Sequence, residues 1–366
     1  MYANKLCLAP MVRSGELPTR IMALNHGADL VWSPEIVDKK LIQCTRIANE
    51  ELNTIDFIDS NFKPTKKTKR APVVFRTYPK LESGKLIFQI GSSDPELAVQ
   101  AASKIIKDVD GIDLNCGCPK PFSTHSGMGA ALLTNPTQLV AILQNLVEKI
   151  GKPNKKPISC KIRLLDDKDA KPTLELLEKL VTTGIENITI HCRTRDMRNR
   201  DHPIHNFLPE LVKYIQSKNI SCIINGALQS RHDFENLKTN LGLANVGGMI
   251  AESAESNPSV FNKENPLTWS KVLIEFIETA IKFDNHPTNT KYVLLNQIPG
   301  KLKYYNEFCK LKSNEDYYKL AKQIENDDKI KLKYCMKDKL IPSNEYDSQF
   351  KDSDKENHIN KKRKLQ

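Results

Sequence analysis

From the N-terminus to about residue 260, short apolar runs rich in valine, isoleucine and leucine alternate with longer amphipathic segments. That alternation is the mark of repeated βα units around a parallel sheet. Eight runs qualify as strands: Leu6–Ala9, Leu30–Ser33, Leu86–Ile90, Gly111–Leu114, Ile158–Ile162, Asn187–Ile190, Cys222–Ile224 and Gly248–Ile250. Eight is the number that closes a barrel. An open doubly wound sheet is the competing architecture. No strand is followed by a Gly-x-Gly-x-x-Gly fingerprint, so the expected fold class is α/β, a (β/α)8 TIM barrel.

Helix starts are legible too. Asp94-Pro95-Glu96 supplies an N-cap, a proline at the first helical position and an acidic first turn, predicting a helix to about Lys107. Asn135-Pro136 does the same for a helix to about Ile150. The segment Asn53–Lys85, with an extra strand at Val73–Thr77, is too long for an ordinary βα loop and is expected to decorate the barrel's rim. Beyond about residue 262 the strand pattern stops. Leu267–Phe283 and the stretches to about Leu340 carry helical periodicity and a single glycine, Gly300, which predicts a small helical domain. From Pro342 onward the chain is polar and charged, and disorder is expected. Its Lys361–Lys364 run reads as a solvated terminus or a nuclear-import signal. The expected organisation is a catalytic barrel over 1–262, a helical domain over 263–341 and a charged tail over 342–366.

Composition narrows the class. Of 366 residues, 39% are hydrophobic and 27% charged, as in globular proteins, and no apolar stretch approaches the roughly 20 residues that span a bilayer. No membrane partner is expected. The opening residues Met1–Pro10 run straight into a strand without a targeting pattern, so the cytoplasm is the expected compartment, with a nuclear share. Nine cysteines, mostly in apolar runs (Cys7, Cys160, Cys222), do not suggest a disulfide framework. Cys116 and Cys118 lie too close together for a tetrahedral zinc site, and no metal is expected. Against 44 acidic residues stand 55 basic ones, a net +11, concentrated in Lys63–Arg70, Arg193–Arg200 and Lys329–Lys339. Such patches suit a polyphosphate partner, because neutralising phosphates releases counterions.

In a barrel, catalytic residues come from the C-terminal ends of the strands. The polar residues just past each apolar run form one set: Pro10-Met11, Glu35, Gln89, Asn115–Pro119, Lys161 and Arg163, His191 with Arg193 and Arg195, Asn225-Gly226, and Ala251-Glu252. Each has a bland reading alone: Gln89 capping a strand, His191 satisfied in the interior, Lys161 paired with Glu35. Their joint placement at one end of eight strands argues for an active site.

The motifs then become specific. The string Gly111-Ile-Asp-Leu-Asn-Cys-Gly-Cys-Pro-Lys120, followed by Gly127-Met-Gly-Ala-Ala-Leu-Leu133, resembles the signature of the tRNA-dihydrouridine synthase family. So do Leu8–Val12, Phe88–Gly91, Cys160–Arg163 and His191–Arg195, in the family's order over about residues 5–262. Asp38–Cys44 and Asp284–Tyr292 resemble the eukaryotic branch that acts on position 20 of the D-loop.

The resemblance implies an FMN-dependent reductase of tRNA, acting as a monomer, with NADPH or NADH as hydride source. On that reading Gln89 and Lys161 meet the pyrimidine edge of the flavin. Asn225, Gly226 and Ala227, with Gly247–Glu252, sit where barrels bind phosphate. Pro10, Met11, Glu35 and His191 complete the cofactor pocket, while Asn115, Arg193 and Arg195 meet the RNA. Hydride adds to C6 of uracil and C5 must be protonated. By family match Cys118 is the acid, and Cys116 is packing.

Two departures stand out. Relatives usually carry Gly-Arg or Ala-Arg where this chain has Ala251-Glu252, so FMN affinity should fall if Glu252 faces the phosphate. Cys192 stands where relatives often have glycine, and crowding is expected there. Two rival readings remain open in the sequence. One is an FMN barrel reductase of a free pyrimidine, which predicts neither a helical appendage nor basic clustering. The other is a catalytically silent RNA-binding paralogue, supported by Glu252 alone.

Overall fold

A computed structural model describes residues 1–65, 71–298 and 303–325. The predicted helical stretch beyond 325, the charged tail, and the basic runs at 66–70 and 329–339 lie outside the described residues. In chain order the strands are β1 (Leu6–Leu8), β2 (Leu30–Trp32), β3 (Ile36–Val37), β4 (Cys44–Asn49), β5 (Thr54–Asp59), β6 (Val73–Thr77), β7 (Leu86–Gly91), β8 (Gly111–Cys116), β9 (Ile158–Arg163), β10 (Asn187–His191), β11 (Ser221–Asn225) and β12 (Gly247–Ile250).

Eight of them close a parallel barrel in the order β1, β2, β7, β8, β9, β10, β11, β12, with β12 pairing back to β1. The short β3 prolongs this sheet beyond β2, its Ile36 and Val37 opposite Ile90 and Gly91 of β7. Period-two alternation divides each strand between two environments. Outward residues such as Leu8, Val31, Phe88, Leu114, Ile162, Ile190 and Ile224 join the core between sheet and helices. Inward residues Tyr2, Cys7, Ala9, Leu30, Trp32, Ile87, Ile223 and Met249 fill the barrel's centre.

The helix starts obey their caps. Asp94 accepts from the backbone N–H groups of Glu96 and Leu97, both at 2.9 Å, and the helix runs Pro95–Ile105. Asn135 caps Pro136–Leu146, which ends in a wider turn at Val147–Gly151.

The long insertion departs from its expected place at the rim. Strands β4, β5 and β6 form a separate antiparallel sheet, preceded and followed only by the short helices Asp38–Ile42 and Pro79–Glu82. Phe57 and Phe75 lay that sheet against the barrel wall, where Phe75 meets Phe88 of β7 edge to face at 4.9 Å. The sheet thus covers the wall between β2 and β7, where a long barrel helix would stand. Arg20 of the first barrel helix fixes it there, paired with Glu82 at 2.7 Å and donating to the Arg76 carbonyl at 2.6 Å, while Arg76 and Asp56 pair across β5 and β6 at 2.6 Å.

Beyond β12 the chain is helical, with Trp269–Lys282, Pro287–Gln297, Lys303–Lys310 and Asn314–Glu325. Trp269, Leu273, Phe276, Leu294, Phe308 and Tyr317 build a second core there, and Met22 of the barrel helix Leu17–Asn25 belongs to it. The helix Trp269–Lys282 therefore serves both units. It covers the first barrel helix and carries the helices that follow, so the boundary expected at residue 262 falls ahead of the barrel's last helix.

Candidate active site

The same alternation that fills the barrel builds the site. Gln89, Asp113, Asn115, Lys161, Arg163, His191 and Asn225 occupy inward positions near the C-terminal strand ends, and register sets them side by side. Gln89 lies opposite Asp113, Asn115 opposite Lys161, and His191 opposite both Arg163 and Asn225. Pro10, Met11, Glu35, Gln89, Asn115, Cys118, Lys161, His191, Asn225 and Ala251 all line one cavity of about 270 Å³. Gly226, Ala227, Glu252 and Arg193 line an adjoining one of about 680 Å³ that shares Met11, His191, Asn225 and Ala251.

Cys118 is placed by a rigid loop. Asn115 Oδ1 accepts from the Gly117 and Cys118 backbone N–H groups at 3.0 and 2.9 Å, while Arg163 Nε donates to the Gly117 carbonyl at 2.8 Å. Ala130 N–H donates to the Cys118 carbonyl at 3.0 Å. Cys116 points the other way, fully buried among outward residues of the sheet. Burial pushes the Cys118 thiol up, and the Glu35 carboxylate beside it pushes further in the same direction. Glu35 is itself raised by burial, with one oxygen accepting from Ser123 at 3.3 Å, the other without a hydrogen-bonded oxygen or nitrogen among the described residues, and Cys118 and Ser123 both favouring the carboxylate.

A polar chain runs beneath. Asn115 Nδ2 donates to Gln89 Oε1 at 2.9 Å, Gln89 Nε2 donates to Asp113 at 2.8 Å, and Ser159 donates to Asp113 at 2.6 Å. Burial lifts Asp113 to about 6. Lys161 forms no ion pair with Glu35 among the described residues. Burial first, and then repulsion from Arg163, lower it to about 8. Burial also holds His191 well below the ordinary histidine range, with Lys161, Arg163 and Arg193 adding to the effect. The imidazole is therefore neutral, and Arg193 Nη1 at 3.3 Å makes Nε2 the acceptor.

The structure separates the three residues expected to meet RNA. Asn115 lines the cavity but spends its side chain on Gln89 and the cysteine loop. Arg193 is 5% exposed and donates to the Asp201 and Asn199 carbonyls, so its guanidinium shapes the loop after β10 rather than presenting charge to a phosphate. Arg195 is exposed and lines a different cleft with Asp166 and Asp167. Cys192 does not crowd the site. It joins the core outside the sheet, and a Cβ on Gly226 would come within 3.2 Å of its own Cβ, so the absent side chain of Gly226 makes room. Glu252 is exposed on the wall of the larger cavity, with Gly226, Ala227 and Arg200.

Residues outside the expected set complete the site, Asp113 beneath the cavity and Tyr292 and Glu255 on its wall. Asp113 lay within reach of sequence reasoning, two positions before Asn115 on the inward face. Tyr292 and Glu255 come from the helical unit and the helix after β12, and no periodicity points to them.

A family model described as Dihydrouridine synthase (Dus) matches residues 29–340. The chain is 54% identical over 333 residues to a Saccharomyces cerevisiae protein named tRNA-dihydrouridine(20) synthase [NAD(P)+], covering 89% of this chain and 85% of that one. It is 50% identical over 300 residues to the Schizosaccharomyces pombe protein of the same name, covering 81% of this chain and 60% of that longer one. A human protein named tRNA-dihydrouridine(20a/20b) synthase [NAD(P)+]-like is 29% identical, with 80% of each chain covered.

Proposed function

Because the chain belongs to the dihydrouridine synthase family, we propose that it is a tRNA-dihydrouridine(20) synthase, an oxidoreductase that reduces the C5=C6 bond of a D-loop uridine with FMN and NAD(P)H. One observation carries the reading. The loop Asn115–Pro119 delivers the Cys118 thiol into the cavity that also holds Lys161, so a proton donor and an unpaired cation meet at the end of one barrel.

The residues present fit a flavin. Lys161 has no hydrogen-bond acceptor among the described residues, and a buried ammonium without one needs an electron-rich partner. Gly226 and Ala227 adopt φ of +136° and +58°, and their N–H groups donate to no described residue, which leaves two adjacent donors for a phosphate. The exposed Arg200 lines the same cavity as Glu252.

FMN, when bound, supplies the hydride that adds to uracil C6. Cys118 donates the proton to C5. Burial and the adjacent carboxylate of Glu35 keep its thiol protonated at neutral pH, as a general acid must be. Lys161 and Arg163 supply positive potential in a partly buried site, where charge developing toward the C4 carbonyl is stabilised more than in open water. Asn115 and Arg163 hold the cysteine loop still. A uridine in folded tRNA must leave its stack to reach this depth.

The test is direct. The purified protein should be yellow or take up FMN, and with NADPH should convert one uridine of tRNA lacking dihydrouridine. If flavin absorbance never appears and calorimetry with FMN shows no heat, the reading fails.

A further inference from the structure

The turn after β1 carries a residue in a conformation it adopts only under constraint. Arg13 has φ +72°, in the left-handed region that glycine and asparagine enter readily and arginine does not. Four contacts impose it. Gly15 N–H donates to the Met11 carbonyl at 2.8 Å, and Arg20 Nη1 donates to the Gly15 carbonyl at 2.8 Å. Ser14 donates to Glu255, and Asn289 Nδ2 donates to the carbonyl of Arg13 itself at 2.8 Å. Two of these anchors, Glu255 and Asn289, come from beyond the barrel strands.

The side chain of Arg13 is exposed, yet it is not loose. Its guanidinium carbon stands 5.2 Å from the centroid of Tyr292, whose ring lines the cavity that holds Cys118 and Asn115. No described acid pairs with it; Glu255, the carboxylate on this side, is engaged by Ser14 and Asn296. A guanidinium stacked on a ring keeps its N–H edge free, and that edge is what grips a phosphate by two parallel hydrogen bonds.

We propose that Arg13, stacked on Tyr292, holds a phosphate of the nucleotide that enters the catalytic cavity. The inference rests on the tRNA reading above. The strain at Arg13 places its charge at the cavity mouth, and Tyr292, from the helix Pro287–Gln297, fixes its orientation. A handle built from both units forms only when the barrel and the C-terminal helices are docked.

The test uses the full chain loaded with FMN. Arg13→Gly relieves the backbone strain while deleting the cation, so it should melt no lower than the parent protein. It should bind tRNA roughly 10- to 100-fold more weakly and lower the salt slope of binding by about one. Tyr292→Leu should weaken binding by about two- to fivefold, and Tyr292→Phe should retain most of what Tyr292→Leu loses. Reduction of the bound flavin by NADPH, measured without tRNA, separates the two readings. If the parent protein forms dihydrouridine and Arg13→Gly keeps its affinity and salt slope, the handle is wrong and the enzyme reading stands. If the parent protein neither binds tRNA nor modifies it, both fall.

Discussion

Glu35 stands beside Cys118, and after burial its negative charge is the strongest influence raising the thiol's pKa. The contact works in the opposite sense on Glu35, where burial raises the pKa while Cys118 and Ser123 favour the carboxylate. The backbone N–H of Lys120 and the hydroxyl of Ser123 favour the thiolate and moderate the effect, and the charge of Lys120 favours the Glu35 carboxylate. An acid works in its protonated form, so activity should fall as pH rises through the thiol's pKa. Glu35→Gln should move that fall to lower pH, and Glu35→Asp should restore part of it. Single-turnover reoxidation of pre-reduced enzyme by tRNA gives the profile, and alkylation of Cys118 against pH, in a Cys309→Ser/Cys335→Ser background that removes the one exposed thiol among the described residues and the cysteine beyond them, gives an independent reading. Profiles that coincide for Glu35 and Gln would rule out the charge effect.

Cys118→Ala should still bind FMN and still be reduced by NADPH, but lose dihydrouridine formation by roughly 10²- to 10⁴-fold. Cys116→Ala empties a packed position on the outer face of β8, and its cost, about 1 kcal/mol, should appear in thermal melting rather than in the chemical step. The assignment of the acid is reversed if Cys116→Ala stops reoxidation and Cys118→Ala does not.

Lys161 offers a pH signature. Its folded value of about 8 lies below the ordinary lysine value of about 10.4, so the folded state binds fewer protons between them. Stability of the flavin-free protein should therefore rise with pH across that window, and the penalty of the buried charge is fully present below 8. Lys161→Met should abolish the rise, raise the melting temperature at pH 7, and weaken FMN binding at least about tenfold. A Met variant with the parent's pH–stability curve would contradict this.

Glu252 lines the same cavity as the amides of Gly226 and Ala227, where the family's pattern has an arginine. Glu252→Arg should tighten FMN binding several-fold, by about 1 kcal/mol or more, with a gain that shrinks as salt is added. Riboflavin, which lacks the phosphate, should show no such gain. Equal effects on both ligands would place Glu252 away from the phosphate.

Much of this was legible in the chain. The eight apolar runs gave the barrel because each was bounded by polar residues at its C-terminal end, and inward alternation brought Gln89, Asn115, Lys161, His191 and Asn225 together. Arg193 misled because its sequence neighbours are basic, whereas its position two residues past His191 turns it back into the loop. The sheet β4–β6 could be suspected from length alone, but its position on the barrel wall depends on Phe57 and Phe75 meeting Phe88, a contact without local signal. Tyr292 reached the cavity from almost 300 residues downstream, through helix packing that no short window encodes.

The helix Trp269–Lys282 has a bearing on how such a protein can be taken apart. Its Trp269, Leu273 and Phe276 share a core with Met22, its Glu275 bonds His26 at 2.8 Å, and Phe283 at its end packs with Leu17 and Ile21. A chain cut after residue 262 would leave the first barrel helix facing water along that apolar side. Nor could the C-terminal helices be exchanged with those of a relative at the point where the strand pattern ends. A seam after residue 283 fares no better, because Trp269, Leu273 and Phe276 share their core with Leu294, Phe308 and Tyr317 of the helices that follow.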